Sequence, residues 1–105
     1  MTRVVFHTAG PEITGFELSG HSGAGQAGED VVCAAVSSAA YMAANTITEV
    51  CGCAAKAVAD DGYMQVVVPR GEAVRCQDIL KGFRLHMDQL AGQYPHHIQV
   101  TDLEV

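Results

Sequence analysis

Positive charge is scarce in this sequence. Six Lys and Arg residues face twelve Asp and Glu in a chain of 105 residues, a formal net charge of −6. A protein that grips a phosphate backbone needs a basic stripe, so direct nucleic-acid binding is not expected. Charge of either sign is sparse, 17% of residues against 49% hydrophobic, so part of the apolar surface is expected to be covered by a second copy. A secretory leader is not evident either: "MTRVVFHTAG" carries one basic residue and then only three consecutive apolar ones. The most apolar run, residues 31–44, is interrupted by Ser37, Ser38 and Tyr41, which fits a buried helix better than a membrane span. The four cysteines (Cys33, Cys51, Cys53, Cys76) lack both the spacing of a disulfide framework and a C-x-x-C pair. A cytoplasmic protein with free thiols is therefore expected. Repeats, linkers and low-complexity segments are missing too, so residues 1–105 read as a single domain.

What is present organises into alternating short strands and two longer helices. "TRVVFHT" reads as a strand stopped by Gly10-Pro11, and "EITGFELSGH" as its hairpin partner, with Gly15 marking a bulge or a close backbone approach. A loop with Gly23, Gly25 and Gly28 spans residues 22–29. Asp30 is a good N-cap for a helix with apolar residues at 32, 36, 39, 40, 43, 47 and 50, ended by Gly52. Two apolar runs around Asp61-Gly62 predict a second hairpin. Cys76, Leu80, Phe83, Met87, Leu90 and Tyr94 recur at helical spacing across residues 72–94, and "HHIQVTDLEV" closes the chain as a strand. The expected fold is α+β and two-layered, a mostly antiparallel sheet with two helices in the order ββαββαβ.

Chemistry concentrates in "GHSGAGQAGEDVVC". With Asp30 as cap, Cys33 falls in the first helical turn, where backbone amides lack intrahelical partners and the dipole favours an anion. The helix alone contributes only about 0.3–1 kcal/mol to an anion. A thiol ionised near neutral pH therefore needs a second group, and His21 is the candidate. The glycine-bearing loop is a candidate flap over an extended peptide, with Ser22, Gly23, Gly25 and Gly28 as its binding residues. Ser37, four residues after Cys33, shares its helix face and supports either the sulfur or the substrate. Each residue also has an ordinary structural role. Cys33 reads equally as a small buried hydrophobe, Asp30 as a cap alone, and Ser37 as a hydroxyl bonded back to the Cys33 carbonyl.

The string "GH", a variable stretch, then "GEDVVCAAVS" resembles the ribosomal-processing cysteine proteases, often called Prp. "DGYM" and "QYPHHIQV" extend the similarity over nearly the whole chain. The resemblance implies a Cys-His dyad at Cys33 and His21, with Asp30 and Ser37 in supporting positions. It implies a homodimer that removes the N-terminal extension of large-subunit ribosomal protein twenty-seven, cutting after a hydrophobic Phe-containing sequence through an acyl-enzyme. Ser22 stands where many relatives carry alanine, and the loop is richer in glycine, so loop-borne specificity need not carry over. No cofactor or membrane partner is implied.

Rival readings are weaker. "CGC" at 51–53 with "HH" at 96–97 matches no zinc spacing, so no metal is expected. The glycine loop has neither lysine nor a G-K-[ST] ending, which argues against nucleotide binding. A non-catalytic ribosome-assembly module holding the same peptide is the main alternative, and a thiol redox sensor is a third.

Overall fold

The computed structural model describes residues 1–20 and 27–105, with residues 27–30 described by their backbone alone. Strands β1 (Thr2–Ala9) and β2 (Glu12–Ser19) form the expected antiparallel hairpin. Gly10 turns it at φ +60°, the sign that the first central residue of a two-residue II′ turn requires. The pairing steps from His7–Gly15 to Thr8–Ile13, which leaves Thr14 as the extra residue of a bulge. Gly15 also permits a close approach, since a Cβ there would stand 2.3 Å from the Val66 carbonyl oxygen. Both readings of that glycine are realised together.

Helix α1 spans Ala27–Asn45 and continues as a π-helical turn over Thr46–Val50 before Gly52 ends it at φ +67°. The helix thus starts three residues before Asp30, a correction to the expected cap. Gly28 belongs to its first turn and not to a loop. The physical reason is that Glu29 and Asp30 are both acids suited to the positive end of a helix, so the acid at 30 does not mark a unique start. Val32, Val36, Ala40, Ala43 and Ile47 are buried as the spacing predicts, but Val50 is 79% exposed. The wider π turn ahead of it carries Val50 off the buried stripe. By length and composition Val31–Val50 would suffice to cross a membrane. In this fold its inward stripe packs on the sheet.

The second hairpin, β3 (Lys56–Asp60) and β4 (Tyr63–Val67), turns on Asp61-Gly62, with Gly62 at φ +71°. The helix expected over residues 72–94 is divided into α2 (Arg70–Ala73), a 3-10 turn (Val74–Cys76) and α3 (Gln77–Gln93). This break sets the Gln77 amide against β2. It accepts from the Ile13 N–H at 2.9 Å and donates to the Ile13 carbonyl at 2.7 Å, beside the bulge. Strand β5 (Ile98–Glu104) then joins the sheet parallel to β1, in the order β3-β4-β2-β1-β5. The other pairings are antiparallel, so the sheet is mixed.

Strand alternation sends Val4, Phe6, Phe16, Leu18, Met64 and Val66 into one core with the inward residues of α1 and α3. Phe6, Phe16 and Phe83 form its centre, with ring centroids 4.7–6.4 Å apart. Met64 and Met87 are also core, Met87 as its helical spacing predicts. This two-layer α+β arrangement matches the expected element order.

Candidate active site

Thr2 continues the inward alternation of Val4 and Phe6 to the first residue of β1. Leu18 and Met64, register partners on β2 and β4, lie beside it at the same end of the sheet. The second turn of α1 crosses above them. Between these layers lies a cleft of about 270 Å³, lined from α1 by Cys33, Val36, Ser37 and Tyr41. The β3–β4 turn closes one side with Asp60, Asp61 and Gly62. Helical spacing explains the α1 set, because residues three and four apart share a face.

Cys33 is half-buried and opens on this cleft, with Sγ 3.4 Å from the Thr2 hydroxyl. It is therefore not sealed in hydrocarbon. With the helix starting at Ala27, its own amide lies within the i to i−4 ladder, and the amides without intrahelical partners precede Asp30. The expectation that Cys33 sits among free first-turn amides is corrected accordingly. Dipole stabilisation fades beyond the first turn, so the helix end does little for a charge on this sulfur. Ser37 is exposed and lines the cleft one turn on. Among the described residues its hydroxyl makes no bond to the Cys33 carbonyl.

His21, Ser22, Gly23 and Gly25 lie outside the described residues, as does the side chain of Asp30. The residue before His21 is informative. Gly20 lines the cleft, takes φ +77°, and would place a Cβ 2.6 Å from the Met1 carbonyl oxygen. Only glycine fits that corner, which accounts physically for the glycine preceding the histidine.

Of the other thiols, Cys51 is half-buried like Cys33, and two differ. Cys53 and Cys76 are buried and both point at the Glu72 carbonyl, at 3.8 and 3.9 Å. Burial pushes the Cys76 thiol up to about 12, and the neighbouring Cys53 and Cys51 push the same way. All four cysteines are free thiols. Among the described residues, no three His, Cys, Asp or Glu side chains are arranged to hold a metal ion. His7 is buried with Nε2 3.2 Å from Glu17 Oε2.

Sequence reading missed Thr2, Tyr41 and the Asp60–Asp61 turn as cleft residues. Thr2 had one usable signal: it is the polar member of the otherwise apolar inward series 2, 4, 6. The hairpin turn had none, because its nearness to α1 depends on strand order.

The sequence profile of the family described as cysteine protease Prp matches residues 1–99. A search of curated protein sequences finds no significant match. Among solved structures, SMU.848 from Streptococcus mutans is 24% identical and superposes with a TM-score of 0.86, over 100% of this chain and 96% of that one. The essential ribosomal processing protease Prp from S. aureus, crystallised with a substrate peptide, is 20% identical with a TM-score of 0.87. That match covers 98% of this chain and 100% of the S. aureus chain. The S. aureus enzyme with a covalently linked product peptide gives 21% identity and a TM-score of 0.85, with the same coverage.

Proposed function

Since the chain belongs to the cysteine protease Prp family, we propose that Cys33 is the nucleophile of this cysteine protease and His21 its proton carrier. The observation that carries the assignment is the Cys33 sulfur opening on a cleft between α1 and the sheet, while Cys53 and Cys76 are buried. His21 follows directly on Gly20, a residue of the same cleft.

The proposed reaction is acyl transfer. The Cys33 thiolate attacks the scissile carbonyl carbon, forming a C–S bond, and the imidazolium of His21 gives its proton to the leaving amine as the C–N bond breaks. A water then attacks the thioester. His21 takes a proton from that water, the C–S bond breaks, and a carboxylic acid and the thiolate are released. Ser37, exposed in the cleft lining, contacts the peptide in this proposal. Asp30 and the segment 22–29 keep supporting and substrate-holding roles in this proposal.

The proposed substrate is the N-terminal extension of large-subunit ribosomal protein twenty-seven, cut after a hydrophobic Phe-containing sequence. An extended peptide suits a cleft with Leu18, Met64 and Val36 in its walls. The excess of acidic residues favours a peptide over a nucleic acid as the direct partner. We further propose that the enzyme works in the cytoplasm as a homodimer. Cell fractionation with an antibody to the chain tests the location.

Mass spectrometry of the extended ribosomal protein after incubation with enzyme tests the function. Wild type is expected to release the extension, while Cys33→Ala and His21→Ala lose at least about 10²-fold in rate and keep native circular dichroism. Turnover retained by Cys33→Ala would end the assignment. Tight binding without turnover by wild type would select the non-catalytic alternative for this substrate.

A further inference from the structure

Resting on the assignment of Cys33 as nucleophile, we infer that the Thr2 hydroxyl is a catalytic donor, holding the sulfur anion ready for attack. Thr2 is fixed on every side. Its N–H donates to the His97 carbonyl at 2.8 Å, it pairs with Ile98 of β5, and it is only 5% exposed. Its side chain is turned inward by the alternation that buries Val4 and Phe6, and Oγ1 reaches Cys33 Sγ at 3.4 Å across 31 residues of sequence. In the neutral pair either group can donate. Once the sulfur has lost its proton, only the hydroxyl can, and a hydrogen bond that exists for the charged form favours that form. Among the described residues no other acceptor competes for the Thr2 proton.

The surroundings give this donor weight. Among the described residues, the titratable groups that line the cleft besides Cys33 are Asp60 and Asp61 from the β3–β4 turn, Tyr63 from β4, and Tyr41 from α1 itself. None of these is a cation, and two are carboxylates that oppose a further negative charge. Arg3 of β1 comes within 3.9 Å of where a Gly20 Cβ would stand, but does not line the cleft. The helix end is a full turn away from Cys33. Besides the proposed role of His21, the support for a thiolate that the described residues supply is therefore a neutral donor in contact with the sulfur. Thr2 Oγ1 touches the reacting atom itself, which separates its role from that of the core residues beside it.

The test is the rate of Cys33 alkylation by iodoacetamide, followed by peptide mapping between pH 5.5 and 10, for wild type, Thr2→Val and Thr2→Ser. Valine keeps the shape and removes the proton donor. Thr2→Val is expected to reach half-maximal rate about one pH unit higher, so it reacts roughly tenfold slower near pH 6.5 and equally fast at the alkaline plateau. Thr2→Ser is expected to overlay wild type. Peptide cleavage by Thr2→Val should show the same displacement in kcat/KM against pH. Should Thr2→Val fail to fold by circular dichroism, Thr2→Ala and Thr2→Ser give the same comparison. An unshifted alkylation profile in the variant lacking the hydroxyl overturns the inference, even if its cleavage is slow. Because alkylation needs no substrate, a shifted profile supports the Thr2–Cys33 coupling even where the cleavage assay fails and the proposed substrate falls.

Discussion

Cys33 and Cys76 carry the same functional group in opposite settings. Cys33 faces a cleft and a hydroxyl donor, whereas Cys76 is 1% exposed, with its thiol held protonated up to about 12 by burial and by Cys53 and Cys51. The linkage has a definite sign. A cysteine in the unfolded chain ionises near 9.0, while folded Cys76 keeps its proton to about 12. Between those values the native state binds the extra proton, so its contribution to stability is full below pH 9 and falls as pH rises, by about 1.4 kcal/mol per unit at most. Urea unfolding of wild type and Cys76→Ala at pH 8 and pH 10.5 checks this. The wild type is expected to lose more stability over that interval than the variant, and equal losses would contradict the assigned environment. At this scale the sequence was legible where spacing is local: Ser37 and Cys33 share a helix face by period alone. Thr2 was not, because its contact with Cys33 spans 31 positions and depends on how α1 crosses the sheet.

Among the elements, the junction between α3 and β2 is the most specific. The β2 bulge at Thr14 interrupts the ladder with β1, and the Gln77 amide is fixed against the Ile13 backbone next to it. Gln77 also donates to the Ala73 carbonyl at 2.8 Å, which ties the 3-10 turn to the same point. Gln77→Leu keeps the bulk and strands these part-buried backbone groups, so it is expected to lower stability by about 1–3 kcal/mol in urea titration. A loss under about 0.5 kcal/mol would show that water satisfies the bulge instead. The hairpins were readable because Gly10-Pro11 and Asp61-Gly62 are local turn signals. The division of the last helix was not, since it accompanies a side-chain contact made 64 residues away in sequence. The start of α1 was misread for a different reason: acids at 29 and 30 satisfy the rules for several helix starts equally well.

For the whole molecule, the unusual surface is the outer side of α1. Val31 and Met42 are 66% and 54% exposed on a helix with no charged residue between Asp30 and Glu49. Such a surface suits a second copy of the chain, in keeping with the proposed homodimer. Sedimentation equilibrium at micromolar concentration is expected to give twice the chain mass of 11.0 kDa for wild type and the single mass for Met42→Glu. A monomeric wild type would contradict the dimer. Element types and their order were legible in periodicity and turns. The parallel pairing of β5 with β1 was not, because it joins the two ends of the sequence and leaves no local trace.

The central claim is that one sulfur, that of Cys33, carries out the cleavage. Its most direct test is to titrate the enzyme with substoichiometric iodoacetamide near pH 7, map the modified thiols by mass spectrometry, and measure cleavage of the extended ribosomal protein in each sample. The account predicts that activity falls in direct proportion to the fraction of Cys33 alkylated, with Cys53 and Cys76 still unmodified. Full activity in a sample whose Cys33 is completely alkylated would contradict it.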